Sequence, residues 1–159
     1  MPDSIQTQIA VMAQAARSAA RVLAAASGAA RQKALAAMPE SLRAVQDQVR
    51  QANAADMADA RAAGLAAPML KRLEIADAVF EYMLKRLAKV AALPDPVGRV
   101  LTEHTQLSGL HVAKIAVPLG VIGIIYESRP NVTTDAASVC LKSGNAVILR
   151  GGSECLRTN

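Results

Sequence analysis

The feature that most constrains the fold is a pair of short apolar segments late in the chain, residues 121–126 and 146–150. Their apolar character is continuous rather than alternating, which is typical of strands covered on both faces, as in a parallel sheet. Residues 131–142 lie between them and predict a helix. The order strand, helix, strand predicts one βαβ unit.

The ends of this unit are marked by particular residues. We expect Thr133 or Thr134 to cap the helix at its N-terminus and Gly144 to end it. After the second strand, "RGGSECLRTN" should begin a further helix, but Asn159 is the last residue. Because two parallel strands alone leave edges and faces uncovered, we expect the start of a doubly wound α/β sheet that is cut short.

The N-terminal part of the chain predicts helices. Residues 4–63 are rich in alanine, and Gly28 and Gly64 are the expected helix stops. Pro39 predicts a helix start or kink near it. Apolar residues with helical spacing form one stripe: Leu35, Met38, Leu42, Val45 and Val49.

Two further elements follow. A single helix is predicted over residues 68–90, with one apolar side formed by Leu73, Ala76, Phe80, Met83 and Leu87. The segments "RVLTEHTQL" and "LHVAKIAV" then predict an antiparallel strand pair around Ser108 and Gly109.

Composition excludes several classes of function. The formal net charge is +5, but aromatic residues are only 2% and the basic residues are scattered, which favours a solvated basic helix face over nucleic-acid binding. The two cysteines and two histidines have no metal-binding spacing, so no metal site is expected. The N-terminus does not resemble a signal peptide, and the longest apolar run is too short to span a bilayer. We therefore expect a cytoplasmic chain with no membrane partner.

The candidate site lies at the carboxyl ends of the two strands, where ligands bind in open α/β sheets. The second strand is followed by Arg150, Gly151, Gly152 and Ser153. An arginine can pair with phosphate, and glycines let backbone N–H groups approach a ligand. An ordinary strand-to-helix turn with a solvated arginine explains these residues about equally well.

The first strand is followed by a loop that contains Glu127, Ser128, Arg129 and Asn131. Asn131 lies near a helix N-terminus, where an amide and backbone donors can stabilise an oxyanion. The alternative, which the residues alone favour, makes Asn131 a simple N-cap and Glu127 to Arg129 a surface pair.

The two cysteines are not nominated as nucleophiles. Cys140 falls within the predicted helix between apolar neighbours and is expected to be a buried structural thiol, and Cys155 has no evident base partner.

The run "VPLGVIGIIYESRPNVTTDAASVCLKSGNAVILRGGSE", residues 117–154, resembles the signature region of the gamma-glutamyl phosphate reductases, also called glutamate-5-semialdehyde dehydrogenases. This family belongs to the aldehyde dehydrogenase superfamily. Looser similarity extends upstream through "NAADMADARAAGL" and "VAALPDPVG". The resemblance implies NADPH-dependent reduction of L-glutamate 5-phosphate to the 5-semialdehyde with release of phosphate, the second step of proline biosynthesis.

The resemblance also implies roles for single residues. Glu127 and Ser128 belong to the loop that lines the nicotinamide side of the pocket, and Asn131, or Arg129 in another alignment, falls near the superfamily's oxyanion asparagine. Arg150 to Ser153 would hold the adenosine ribose and its 2′-phosphate.

The resemblance implies that the chain has three parts and lacks the catalytic domain. Residues 1–96 would form the helical part of the cofactor domain, 97–118 an oligomerisation strand pair, and 119–159 the start of the NADP-binding sheet. The nucleophilic cysteine would lie beyond residue 159, so we expect an inactive N-terminal fragment of an enzyme that is a homo-oligomer at full length. The alternative is a non-catalytic module that pairs with a full-length subunit.

Overall fold

The computed structural model describes residues 4–127 and 129–159. Within these residues the chain forms six α-helices and four strands, and no helix is both long and apolar enough to cross a membrane. The elements are α1 (Ile5–Ala25), α2 (Gly28–Ala44), α3 (Gln46–Ala62), α4 (Ala67–Leu73), α5 (Asp77–Ala92), β1 (Val100–Thr105), β2 (His111–Ile115), β3 (Val121–Ile125), α6 (Asn131–Lys142) and β4 (Ala146–Arg150).

The predicted βαβ unit is confirmed. Strands β3 and β4 pair in parallel, with Val121 opposite Ala146 and Ile125 opposite Arg150. The buried side chain of Asn145 fixes this register, because its Oδ1 accepts a hydrogen bond of 2.8 Å from the backbone N–H of Gly120. Both carboxyl ends therefore lie at the same edge of the sheet.

The expectation that β3 is covered on both faces is wrong for this chain. Burial alternates along the strand: Ile122 and Ile124 are half-buried, whereas Ile125 is 80% exposed. Helix α1 packs against β4 and β3, so one face of the pair has a partner. Helix α6 also packs against β4, whose residues before Arg150 are buried or half-buried, so the exposed apolar side chains are those of β3, at Val121 and Ile125.

The helical core lies where α2, α5 and α6 pack together. Phe80 of α5 is fully buried and contacts Ile75, Met83 and Leu84, with Leu42 of α2 and further partly buried residues against them. The predicted stripe of α2 and α3 is confirmed at Leu35, which is also fully buried, whereas Val45 is exposed at the α2–α3 boundary.

Three predicted helix boundaries are wrong. Gly28 does not end a helix but is the first residue of α2, because the hydroxyl of Ser27 caps that helix by accepting from Ala30 N–H. Pro39 lies inside α2, so the predicted helix start there is wrong, whereas the alternative of a kink stays a prediction. The single helix predicted over residues 68–90 is two helices, since the chain is extended at Glu74 and the buried Ile75 separates α4 from α5.

The predicted bounds of α6 are confirmed, but its predicted caps are wrong. Pro130 occupies the N-cap position with no side-chain cap, and Thr133 and Thr134 both lie inside the helix. The hydroxyl of Thr133 is instead 2.7 Å from the hydroxyl of Tyr126. Gly144 follows the helix with φ of 73°, a left-handed conformation that glycine adopts without strain and that suits a helix end.

The predicted antiparallel pair is also confirmed. Strands β1 and β2 form a hairpin whose turn contains Gly109 with φ of 85°, and its register is irregular between Val100 and Thr102. Every residue of β1 is exposed. The hairpin thus has two solvent-facing sides in the part of the chain that the structure describes.

Two basic residues depart from the predicted solvated face, Arg31 on α2 and Lys142 on α6, since both are buried. Arg31 is buried on α2, where its Nη2 lies 2.7 Å from Asp95 Oδ2 and its Nη1 donates to the Ala26 carbonyl. This ion pair joins the start of α2 to the loop that follows α5.

The Asp95 carboxylate makes the stability of the fold depend on pH. The N–H of Val97 donates to it, and with Arg31 this lowers the pKa of Asp95 below its ordinary value of 3.8. Because the pKa of Asp95 is lower in the folded state, its carboxylate stabilises the fold fully at pH values above the ordinary pKa. This stabilisation is lost as the pH falls through the pKa of the folded state. Since the side chain is 37% exposed, solvent screening keeps the contribution below about 1 kcal/mol.

We expect Asp95→Asn to lose less stability between about pH 6 and about pH 3 than the unsubstituted chain loses. Urea unfolding at both pH values measures this, with the exposed Asp47→Asn as the matched control. Identical acid sensitivity in all three proteins would contradict the prediction.

Candidate functional site

A cleft opens where β3 and β4 end together. It has a volume of about 270 Å³, and it is lined by Ile125, Tyr126, Glu127, Arg150, Gly152, Ser153 and Glu154. The parallel register brings these two loops side by side, since Tyr126 N–H donates to the Arg150 carbonyl at 3.0 Å. Four of the predicted cofactor residues, Glu127, Arg150, Gly152 and Ser153, therefore line one cleft.

The charges of the cleft are mixed. Arg150 is exposed at the end of β4 and supplies the positive charge. Glu127 is paired with Arg72 of α4 at 3.4 Å, and the Ser153 hydroxyl donates to Glu154 Oε2 at 3.2 Å. The site can therefore offer one cation and one hydroxyl to an anion beside two carboxylates.

The two glycines are packed closely. A Cβ on Gly151 would collide with the Asn159 amide, and a Cβ on Gly152 would lie 2.7 Å from the carboxylate of Glu154. At Gly152 the obstacle is the end of a flexible side chain, so movement of Glu154 opens the backbone to a ligand. An arginine, a hydroxyl and the glycine backbone that Glu154 now covers fit a phosphorylated ribose once that side chain moves.

A hydrogen-bond network joins the two loops behind the cleft. Besides its contact with Tyr126, the Thr133 hydroxyl donates to Asn159 Oδ1 at 3.0 Å. The Asn159 amide in turn lies 3.0 Å from the sulfur of Cys155. The aromatic ring, helix α6 and the end of the chain are thereby held in one arrangement.

The structure does not bring Arg129 and Asn131 into this cleft. Arg129 is exposed, and its N–H donates to the Glu127 carbonyl at 2.6 Å. Asn131 is the first residue of α6 and is half-buried, so it is not the N-cap of the alternative interpretation. Ser128 lies outside the described residues. The roles of these three residues stay predictions.

Both thiols are buried, which confirms the expectation for Cys140. Cys140 is buried in α6, and Cys155 is fully buried against Met57 and Leu73. Burial raises the pKa of both thiols, which disfavours the nucleophilic thiolate.

Sequence reasoning missed two polar residues of α3. Asn53 and Asp56 are both buried, and Asp56 accepts hydrogen bonds from Arg157 and Thr158 just after the cleft. The signal was available, because the two polar residues stand one turn apart on the helix face that also buries Met57 and Ala60.

Comparison with known proteins identifies relatives along almost the entire chain, although no family model matches it. A gamma-glutamyl phosphate reductase of Paramagnetospirillum magneticum is 53% identical over 157 residues, which are 99% of this chain and 36% of that protein. One of Solidesulfovibrio magneticus is 51% identical over 98% of the chain and 37% of the relative.

Solved structures give the same result. The crystal structure of gamma-glutamyl phosphate reductase from Thermotoga maritima matches with a TM-score of 0.89 and 39% identity, over 92% of this chain and 36% of that one. The structure of the Saccharomyces cerevisiae enzyme matches with a TM-score of 0.88 and 38% identity, over 92% and 37%. The chain thus spans little more than a third of the length of its relatives, and along nearly all of its own length it is a homologue of the gamma-glutamyl phosphate reductases.

Proposed function

We propose that this chain supplies the NADPH-binding part of a cytoplasmic, homo-oligomeric enzyme that reduces L-glutamate 5-phosphate to the 5-semialdehyde and releases phosphate. The observation that carries the proposal is the cleft at the ends of β3 and β4, with Arg150, Gly152 and Ser153 along one side. The chain that forms this cleft is 53% identical to a gamma-glutamyl phosphate reductase.

The residues of the cleft have distinct tasks in this proposal. Arg150 and the Ser153 hydroxyl hold the 2′-phosphate of the adenosine, and the backbone at Gly152 approaches the ribose. Glu127, with Ser128, forms the wall beside the nicotinamide. When it is bound, the cofactor supplies the hydride that reduces the acyl carbon.

The loop after β3 faces the acyl phosphate. Arg129 offers charge to an anionic substrate, and Asn131 or Arg129 donates to the developing oxyanion. The thiol nucleophile lies in the part of the reductase that this chain does not span, because Cys140 and Cys155 are both buried with raised pKa values. The 159-residue chain alone should therefore have no reductase activity.

Fluorescence titration with NADPH and with NADH tests the cofactor site. We expect Arg150→Ala to raise the NADPH dissociation constant about tenfold, the effect of losing one charge-assisted hydrogen bond, and to change NADH binding less. Arg150→Lys should recover part of the affinity. Arg99→Ala, which removes an exposed arginine outside the cleft, is the matched control. NADPH affinity that is the same in Arg150→Ala and the control would contradict the proposed role.

A second candidate function is a non-catalytic module that pairs with a full-length subunit. The exposed β1–β2 hairpin favours it, since Leu107 at the turn and Ile115 of β2 are exposed apolar residues. The same titration separates the two functions. NADPH affinity near that of a complete reductase argues against the module, whereas no binding together with a stable complex with the full-length enzyme favours it.

A further inference from the structure

The loop after β4 is attached to α3 by the buried carboxylate of Asp56 and by the exposed Asp59, whose Oδ2 lies 2.7 Å from Arg157 Nη1. Asp56 is only 3% exposed, and each of its oxygens accepts two hydrogen bonds. Oδ1 accepts from the N–H and the Nη1 of Arg157 at 3.4 and 3.1 Å. Oδ2 accepts from the N–H and the hydroxyl of Thr158 at 2.9 and 2.6 Å. All four partners are donors, so the site requires a group that accepts on both oxygens.

Further contacts of α3 reinforce this attachment. Asn53, one turn before Asp56, places its amide nitrogen 3.4 Å from the Thr158 hydroxyl. The fully buried Cys155 packs against Met57 and Ala60 of α3. The segment from Cys155 to Thr158 is therefore held by both hydrogen bonds and apolar contact.

The attachment lies a short distance along the chain from the cleft. Residues Ser153–Cys155 form a single 3-10 turn, in which Cys155 N–H donates to the Gly152 carbonyl at 3.3 Å. A turn this short has little freedom, so the place where Asp56 holds Thr158 decides where Gly152 and Ser153 lie.

We propose that Asp56 is a positioning residue for the cofactor cleft. Its hydrogen bonds within the described residues go to Arg157 and Thr158, and through them and the 3-10 turn it sets the position of Gly152 and Ser153. This role rests on the proposed NADPH-binding function. It makes α3, which is remote in sequence from the βαβ unit, part of the apparatus that selects the cofactor.

The test compares Asp56→Asn with Asp47→Asn, the same change at an exposed position of the same helix. Asparagine has only one acceptor oxygen. Asp56→Asn therefore loses the hydrogen bonds that the other carboxylate oxygen accepts. We expect the NADPH dissociation constant to rise about tenfold. NADH affinity should fall less, because a displaced Ser153 hydroxyl affects the 2′-phosphate that NADH does not have. A general loss of stability would lower both affinities together.

Hydrogen exchange reports on the attachment itself. The Thr158 amide should exchange at least about tenfold faster in Asp56→Asn, while the amides of α5 keep their protection and show that the fold is intact. Thr158→Ser keeps the hydroxyl donor and should bind NADPH as the unsubstituted chain does, whereas Thr158→Val should weaken binding.

The outcomes separate this role from the function on which it rests. If the unsubstituted chain binds NADPH and Asp56→Asn binds it equally well, the positioning role is overturned and the cofactor site stands. Equal loss of NADPH and NADH affinity also overturns the role. If the unsubstituted chain binds neither nucleotide, the proposed function fails and the role of Asp56 fails with it.

Discussion

Replacing Phe80 by alanine is expected to lower the free energy of unfolding by about 3–5 kcal/mol. Phe80 is the only phenylalanine of the chain and is fully buried among Ile75, Met83 and Leu84. Because the whole stability of a domain is about 5–15 kcal/mol, the loss would bring the chain close to unfolding under ordinary conditions.

Urea unfolding followed by circular dichroism measures this loss. Tyr82→Ala is the matched control, because it removes an aromatic ring from the same helix at a position that is 51% exposed. The control should change stability by no more than about 0.5 kcal/mol. Similar losses in the two variants would mean that Phe80 does not hold the core as described.

Replacing Asn53 by alanine is expected to cost about 2–5 kcal/mol, because it leaves two buried backbone groups without partners. The amide nitrogen of Asn53 donates to the Leu73 carbonyl at 2.9 Å, and its oxygen accepts from Ile75 N–H at 2.8 Å. These are the backbone groups at the interruption between α4 and α5. The side chain thereby takes the place of hydrogen bonds that a continuous helix would make.

Two comparisons test this role of Asn53. Gln51→Ala changes an exposed amide on the same helix and should leave the urea midpoint nearly unchanged. Asn53→Asp keeps an acceptor for Ile75 N–H but places a buried carboxylate against the Leu73 carbonyl, so it should lose at least as much stability as Asn53→Ala. The Ile75 amide should lose its protection from hydrogen exchange in Asn53→Ala, and retained protection there would contradict the prediction.

The strands and α6 could be predicted because their signals are local. A run such as "VIGII" has few alternatives to a strand, and Gly144 marks the end of α6 by its own conformation. The interruption between α4 and α5 could not be predicted in this way. It depends on Asn53, which reaches it from another helix, so the periodicity of residues 68–90 alone indicates one continuous helix.

The residues of the candidate site differ in the same way, because some have local signals and others depend on contacts with other parts of the chain. Arg150, Gly152 and Ser153 follow a strand end, and the general rule for α/β sheets was enough to place them at a cleft. The threonine caps failed because the hydroxyl of Thr133 is engaged by Tyr126 from the preceding loop. The helical spacing of Asp56 with Met57 and Ala60 indicates its burial, but its partners, Arg157 and Thr158, are distant in sequence and could not be predicted.

The packing of α1 against β4 has a consequence for the order in which the protein is made. Helix α1 ends at Ala25, whereas β4 begins at Ala146, so α1 leaves the ribosome well before the strand that it covers. At ordinary rates of synthesis this interval is on the order of ten seconds. During that time the apolar side of α1 is available to chaperones, while α2 and α5 are complete and able to pair. The sheet can thus acquire its helical cover only as a late, long-range step in folding.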